Sequence, residues 1–386
     1  MKPFLLLDAA PFCYGPISTL MAVVDHLLKS PYRLVLLASG TALEFAQPYR
    51  DQLEIRVCNT ESEEDMRRQL KVFRECTLFI SNTNPPSVVF AKRQGVPVVC
   101  LDTLFWMWDH LEPEVIDADL FIAQNFAGVD ANLERLGKGI RRFEKVGPLI
   151  STPIERNEAP ARENTCLISY GGMESSFTIP GITHRLHEIQ TQLLIDVLED
   201  IQPFERYIFC GRGHVMEALA QKHAHPAREF GFQPHADYLR QLQTCGLCLL
   251  SPGLTGAYEV VGTGTPTVLM LPQNYSQQLQ AQHFLASSEW PMTGVEWRAV
   301  YPDFQLPEQM PEAEAIAQLN QLILKFEQDP PAWDRYRQLL REQLQTPLMP
   351  TASPSVSSGA ARAAELIVSF AAELTAENHS ARGIHA

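Results

Sequence analysis

The stretch Ser251-Pro-Gly253-Leu-Thr255-Gly256-Ala257-Tyr-Glu259-Val-Val-Gly-Thr-Gly264-Thr-Pro266-Thr-Val-Leu-Met-Leu-Pro272 decides the fold. It follows the apolar run Leu247–Leu250, opens a short helix with a Gly-rich turn, and breaks at Gly264-x-Pro266. The apolar strand Thr267–Leu271 comes next. Strand, turn, helix and strand in this order build a parallel α/β sheet. The turn also carries chemistry. Backbone N–H groups at a helix start, aided by the helix dipole, form a seat for phosphate. Gly253 and Gly256 leave the backbone open, Ala257 continues the run of amides, and Thr255 adds a hydroxyl. Glu259 lies one helical turn on, where a carboxylate can accept hydrogen bonds from a ribose diol. The same residues also suit an ordinary turn in a parallel sheet.

Working outward, the same alternation recurs. After the decisive stretch, Ala315–Glu327 and Pro331–Gln345 read as helices. Before it come strand Thr165–Tyr170 running into Gly171-Gly172, helix Glu188–Leu198, strand Tyr207–Cys210 with Gly211-Arg212-Gly213, and helix Asp237–Gln243. The N-terminal half gives strands at Phe4–Leu7, Tyr32–Leu37, Leu78–Ser81, Val96–Leu101, Leu120–Gln124 and Arg142–Val146. Helices are expected at Ile17–Leu28, Glu63–Phe73 and Ser87–Arg93. Short apolar strands between helices predict sheets covered on both faces, with ligands at the strand carboxyl ends. The expected organisation is a first α/β domain over 1–150, a Pro- and Asn-rich linker over 151–164, and a second α/β domain over 165–345. The stretch 346–386 reads as a Pro/Ser-rich loop, a last helix from Ser358, and a polar tail fraying beyond ~375.

The global numbers agree with two domains. The chain has 386 residues, 45% hydrophobic and 20% charged, which is globular rather than disordered. A net charge of −14 argues against a surface that tracks nucleic-acid phosphates. Among the eight cysteines, Cys100, Cys210 and Cys248 lie in apolar runs, as reduced thiols of a cytoplasmic protein do. Cys245-x-x-Cys248 has no second pair and reads as packing rather than zinc or redox chemistry. No run approaches the ~18 apolar residues of a membrane span, and Asp8 cuts the first apolar segment far short of a signal-peptide core. A cytoplasmic protein acting on small molecules is expected; its oligomeric state is not legible.

The order of Gly253, Thr255, Gly256, Glu259, Gly264, Pro266, Pro272 and Ser276-Gln277 resembles the donor-sugar signature of GT-B glycosyltransferases. These include the plant and macrolide UDP-glycosyltransferases and the bacterial enzyme that adds N-acetylglucosamine to complete lipid II. Ser251 replaces the usual His. The resemblance implies two Rossmann-like domains facing a cleft, with a UDP-sugar as donor substrate. Gly231-Phe232-Gln233-Pro234-His235 resembles the element that holds the base: Phe232 offers a stacking face, Gln233 lies beside it, and a buried strand-end Phe is the plain alternative. Gly171 and Gly172 face the same crevice or form a mere turn. Arg212 pairs with a phosphate or lies on the surface. Ser276 and Gln277 would meet the sugar hydroxyls. With no Asp-x-Asp motif, no metal or other cofactor is expected.

Relatives carry a His after the first strand as base toward the acceptor; here Pro16 takes that position. Candidate bases are then carboxylates at strand ends, Asp102 ahead of Asp8, and Asp109 among aromatics, each also suited to capping a loop. Phe105, Trp106 and Trp108 suit an acceptor wall or plain core. Asn82 provides a rim amide and Tyr14 lies after the first strand. Phe12-Cys-Tyr14-Gly15 and the Trp-rich loop are similar to cytosylglucuronate synthases, which implies glucuronate transfer to a pyrimidine. A UDP-sugar epimerase or hydrolase and a non-catalytic GT-B partner protein are the alternatives.

Overall fold

The computed structural model describes residues 3–151, 161–173, 182–201, 204–306, 310–345 and 357–383. The chain divides into two compact units, Met1–Thr152 with Ser357–Ala386, and Pro153–Val356. Most of the expected linker and the Pro/Ser-rich loop lie outside the described residues.

The first unit holds seven strands: β1 (Phe4–Ala9), β2 (Arg33–Ala38), β3 (Glu54–Val57), β4 (Leu78–Asn82), β5 (Val98–Asp102), β6 (Leu120–Gln124) and β7 (Phe143–Val146). They pair in parallel in the order β3-β2-β1-β4-β5-β6-β7. The second unit holds β8 (Glu163–Gly171), β9 (Arg206–Gly211), β10 (Arg228–Gly231), β11 (Cys245–Leu250), β12 (Thr267–Leu269) and β13 (Thr293–Gly294). Their order is β10-β9-β8-β11-β12-β13, again all parallel. In each sheet the connection reverses once, between β1 and β4 and between β8 and β11. Ligands of open α/β sheets collect at such a switch point, beyond the strand carboxyl ends.

The central strands are apolar on both faces because helices cover both. Leu5, Leu6, Leu7, Phe79, Ile80, Leu101 and Ile122 are fully buried, each contributing ~1.5–3 kcal/mol of hydrophobic stabilisation. The edge strands differ. β3 reads Glu-Ile-Arg-Val and is half-buried, so it lacks the apolar run by which its neighbours are recognised. The expected helix Glu63–Phe73 is broken at Gln69 into Glu63–Arg68 and Leu70–Glu75.

Two features tie distant sequence together. The helix Ala360–Gly383 packs Ala363, Ile367 and Phe370 into the core of the first unit. Its entry is fixed where Gly359 N donates to Pro148 O at 2.7 Å and Ser358 Oγ to Ile150 O at 2.6 Å. It stays helical through Gly383, past the point where fraying is expected.

In the second unit Arg162 donates to the carbonyls of Leu242, Gln243 and Cys245 and to those of Thr263 and Gly264. These carbonyls end the helices His235–Thr244 and Leu254–Thr263. A cation there meets the negative ends of two helix dipoles at once. Their opposite ends carry His235 and the Gly253 turn.

Candidate functional site

The β8/β11 switch point gathers most of the expected nucleotide residues. β8 ends at Gly171, whose φ of +68° is the left-handed region that favours glycine. Gly172 is buried, and the non-glycine Met173 also has positive φ, +58°. Such backbone strain costs ~1–3 kcal/mol and clusters at binding sites.

β11 ends before Ser251, which is buried and whose N–H donates to Ser169 O at 2.8 Å. The helix Leu254–Thr263 starts from Gly253, which has no side chain to cap it. Ala257 N–H is already bonded to Gly253 O at 2.8 Å. The expectation that Ala257 donates to phosphate is therefore corrected: an α-helix leaves the N–H groups of Leu254, Thr255 and Gly256 to be satisfied from outside.

Gly256 has a second role. A Cβ there would meet Leu250 Cδ1 at 3.1 Å, so this glycine lets the helix approach β11 rather than opening space for a ligand. Thr255 is half-buried at the helix start.

Glu259, one turn on, is 4% exposed and accepts a hydrogen bond from His235 Nε2 at 2.7 Å. His235 opens the helix His235–Thr244 and its ring lies near-parallel to Tyr238. Phe232 and Gln233 are half-buried just before it, and Gln233 Oε1 accepts from Gln241 at 3.4 Å. The strand-end ring that packs into the core is instead Phe230, stacked on Phe209 with centroids 4.4 Å apart. Arg212 is half-buried and heads the helix Gly213–His223.

The residue that joins these loops is Gln273. Its Nε2 donates to Tyr170 O at 2.8 Å and to Ser251 Oγ at 2.5 Å, and its backbone N donates to Gln277 Oε1 at 2.9 Å. It thus braces the ends of β8 and β11 against the helix Tyr275–Ala286. Ser276 Oγ donates to Asn274 Oδ1, which also caps that helix through Gln277 N. In this conformation, Ser276 and Gln277 are turned toward their own loop.

The first unit's switch point is built otherwise. Asp8 is fully buried, its Oδ2 accepting from Asn84 Nδ2 at 2.6 Å, with the hydroxyls of Thr60, Ser81 and Ser87 around it. Burial raises its pKa from 3.8 to about 6, against the lowering effect of those hydrogen bonds. Asn82 donates to Pro16 O at 2.5 Å and Thr19 Oγ1 at 2.6 Å, while its Oδ1 accepts from Thr83 Oγ1. The reading of Asn82 as a rim amide is therefore corrected: it locks the helix Gly15–Leu27 to β4. Tyr14 is half-buried and donates to Glu44 at 2.6 Å.

Asp102 ends β5 and is 2% exposed. It accepts from Trp108 Nε1 at 2.8 Å and from Leu104 N at 2.7 Å, and burial raises its pKa to about 6. Phe105 is fully buried against Phe121 and Phe143. Its reading as acceptor wall is corrected to core. Trp106 and Trp108 remain half-buried. Asp109 is half-buried, its Oδ1 within 2.6 Å of His110 Nδ1.

No protein-family model and no curated protein matches the sequence. Solved structures do match, over 96% of this chain. Arabidopsis thaliana UGT89C1 complexed with UDP is 11% identical with a TM-score of 0.54 over all of that chain. Os79 from O. sativa, in complex with U2F and trichothecene, is 13% identical with a TM-score of 0.53, also over all of that chain. A UDP-glucosyltransferase from Polygonum tinctorium capable of glucosylating indoxyl, in complex with 3,4-dichloroaniline, is 12% identical with a TM-score of 0.53 over 98% of that chain. The fold is GT-B. At such identities the likeness concerns the two-domain GT-B fold.

Among the described residues no group of three or more His, Cys, Asp or Glu is arranged to hold a metal ion. Among the described residues, too, no helix is long and apolar enough to cross a membrane. Cys245 and Cys248 are buried, with thiols held well above their ordinary pKa by burial, so they pack rather than react.

Proposed function

We propose that the protein is a glycosyltransferase that moves a sugar from a UDP-sugar to a small, flat acceptor. One observation carries this reading: an uncapped helix start at Gly253, with Glu259 one turn on, at the switch point of the second sheet. The amides of Leu254–Gly256 would receive the diphosphate, Glu259 the ribose diol and Phe232 the uracil face. Fold likeness to a chain that crystallises with UDP supports the nucleotide assignment.

In the transfer, an acceptor O–H or N–H attacks the anomeric carbon as the bond from that carbon to the diphosphate oxygen breaks, and UDP departs. Negative charge grows on the leaving diphosphate, where fixed amides at a helix start stabilise it without a divalent cation. The acceptor proton goes to Asp102. Its raised pKa of about 6 suits a base near neutral pH, and Trp108 on its carboxylate connects it to the half-buried indoles of the loop. Those indoles suit a flat acceptor, and the similarity to cytosylglucuronate synthases makes a pyrimidine base the first to try.

The test incubates the purified protein with a panel of UDP- and dTDP-sugars, with and without cytosine and phenolic acceptors, and follows products by mass. Acceptor-dependent release of UDP with a glycosylated product is expected, undiminished by EDTA. Sugar isomerisation or acceptor-independent hydrolysis would instead indicate an epimerase or hydrolase. Activity lost in EDTA and restored by magnesium would overturn the metal-free step.

A further inference from the structure

We infer that His235 is a positioning residue that holds the Glu259 carboxylate in the orientation needed to read a ribose, and so makes the site selective for ribonucleotides over deoxyribonucleotides. This rests on the nucleotide reading above. Both side chains are nearly enclosed, 11% and 5% exposed, and meet at 2.7 Å. A carboxylate only accepts hydrogen bonds, so the His235 nitrogen facing it, Nε2, must carry a proton. That N–H engages Oε1 and leaves Oε2 as the oxygen for a second donor. Oε2 has two lone pairs and can accept from both hydroxyls of a ribose 2′,3′-diol, whereas a 2′-deoxyribose offers it only the 3′-hydroxyl.

The two residues come from different helices, His235–Thr244 and Leu254–Thr263. Arg162 fastens both helices at their far ends. The pair is therefore held by the scaffold rather than by a loop. A Glu side chain freed of His235 would sample several rotamers and lose part of its discrimination before any ligand arrives.

The experiment measures binding of UDP and 2′-deoxy-UDP to wild type, His235→Ala, His235→Gln, Glu259→Ala and the His235→Ala/Glu259→Ala double variant. Wild type should favour UDP by about tenfold, the worth of a hydrogen bond to a charged acceptor. His235→Ala should cut that preference to within about threefold, and His235→Gln, which retains an N–H donor, should restore most of it. In the Glu259→Ala background, His235→Ala should change UDP affinity by less than about twofold, the mark of two residues acting as one unit.

A His235→Ala variant that discriminates as well as wild type, or additive losses in the double variant, would overturn the inference while leaving the nucleotide site intact. A wild type that binds neither nucleotide would overturn the site reading itself. Thermal melting of each variant separates loss of fold from loss of preference.

Discussion

The two sheets reverse direction at equivalent places, β1/β4 and β8/β11, yet the two switch points have opposite characters. In the second unit the strand ends run into glycines and an uncapped helix start, and its buried polar groups brace loops around an open backbone. In the first unit the same place is filled. Asp8, Asn82 and Asn84 bond to one another's surroundings, and the carbonyl of Pro16 is one of the partners of Asn82. One topology can thus present either bare amides or a closed box of side chains. The difference lies in a handful of residues at the strand ends. On the function proposed above, the first unit's chemistry would lie one strand outward, at Asp102 at the end of β5 and the indole loop that follows.

Substitutions can break this contrast. The largest effect is expected at Asp102. Asp102→Asn should lower turnover by ~10²–10⁴ if the carboxylate takes the acceptor proton, with UDP affinity unchanged within twofold. Near-normal turnover would return Asp102 to a purely structural role, anchoring Trp108.

Arg162→Ala removes the cation shared by two helix ends and should destabilise the second unit by about 2–4 kcal/mol, read in urea unfolding. Arg162→Lys, which keeps the charge without the fork, should fall between. If both leave stability unchanged, the brace behind the nucleotide seat is unimportant.

A smaller effect is expected at Asp8. Its folded pKa of about 6 lies above the ordinary 3.8, so the folded state binds the proton more tightly than the unfolded state. Its contribution to stability is therefore present below about pH 4 and lost as pH rises through about 6, by roughly 2–3 kcal/mol in all. Asp8→Asn should remove that share of the pH dependence between pH 4 and 7.5 and leave UDP affinity alone. An unaltered pH profile would mean that Asp8 is not held as the buried carboxyl described here.

Much of this was legible in the sequence where the signal is local. Fully buried strands such as Leu-Leu-Leu and Val-Val-Cys-Leu are recognised by apolar runs, and the Gly253–Glu259 turn by punctuation within seven residues. The edge strand Glu54–Val57 was not, since half-buried edges need no apolar run. Nor could the sequence distinguish Phe105, which turns into the core, from Trp106 and Trp108, which stay half-buried on the same loop.

The bracing partnerships were missed for another reason. Gln273 meets Tyr170 across 103 residues and His235 meets Glu259 across 24, and no periodicity marks such a partnership. The only signal available was that polar Gln273 follows an apolar strand and lies beside the Pro272 of the donor signature.

The central claim is that the helix start of the second unit receives the nucleotide, with Glu259 on its ribose. Calorimetric titration of UDP into wild type and Glu259→Ala tests it most directly. The account predicts saturable binding to wild type and a dissociation constant raised more than about tenfold in the variant, from a lost interaction of ~1.5–3 kcal/mol, at unchanged melting temperature. Affinity within twofold of wild type in a folded Glu259→Ala protein would contradict it.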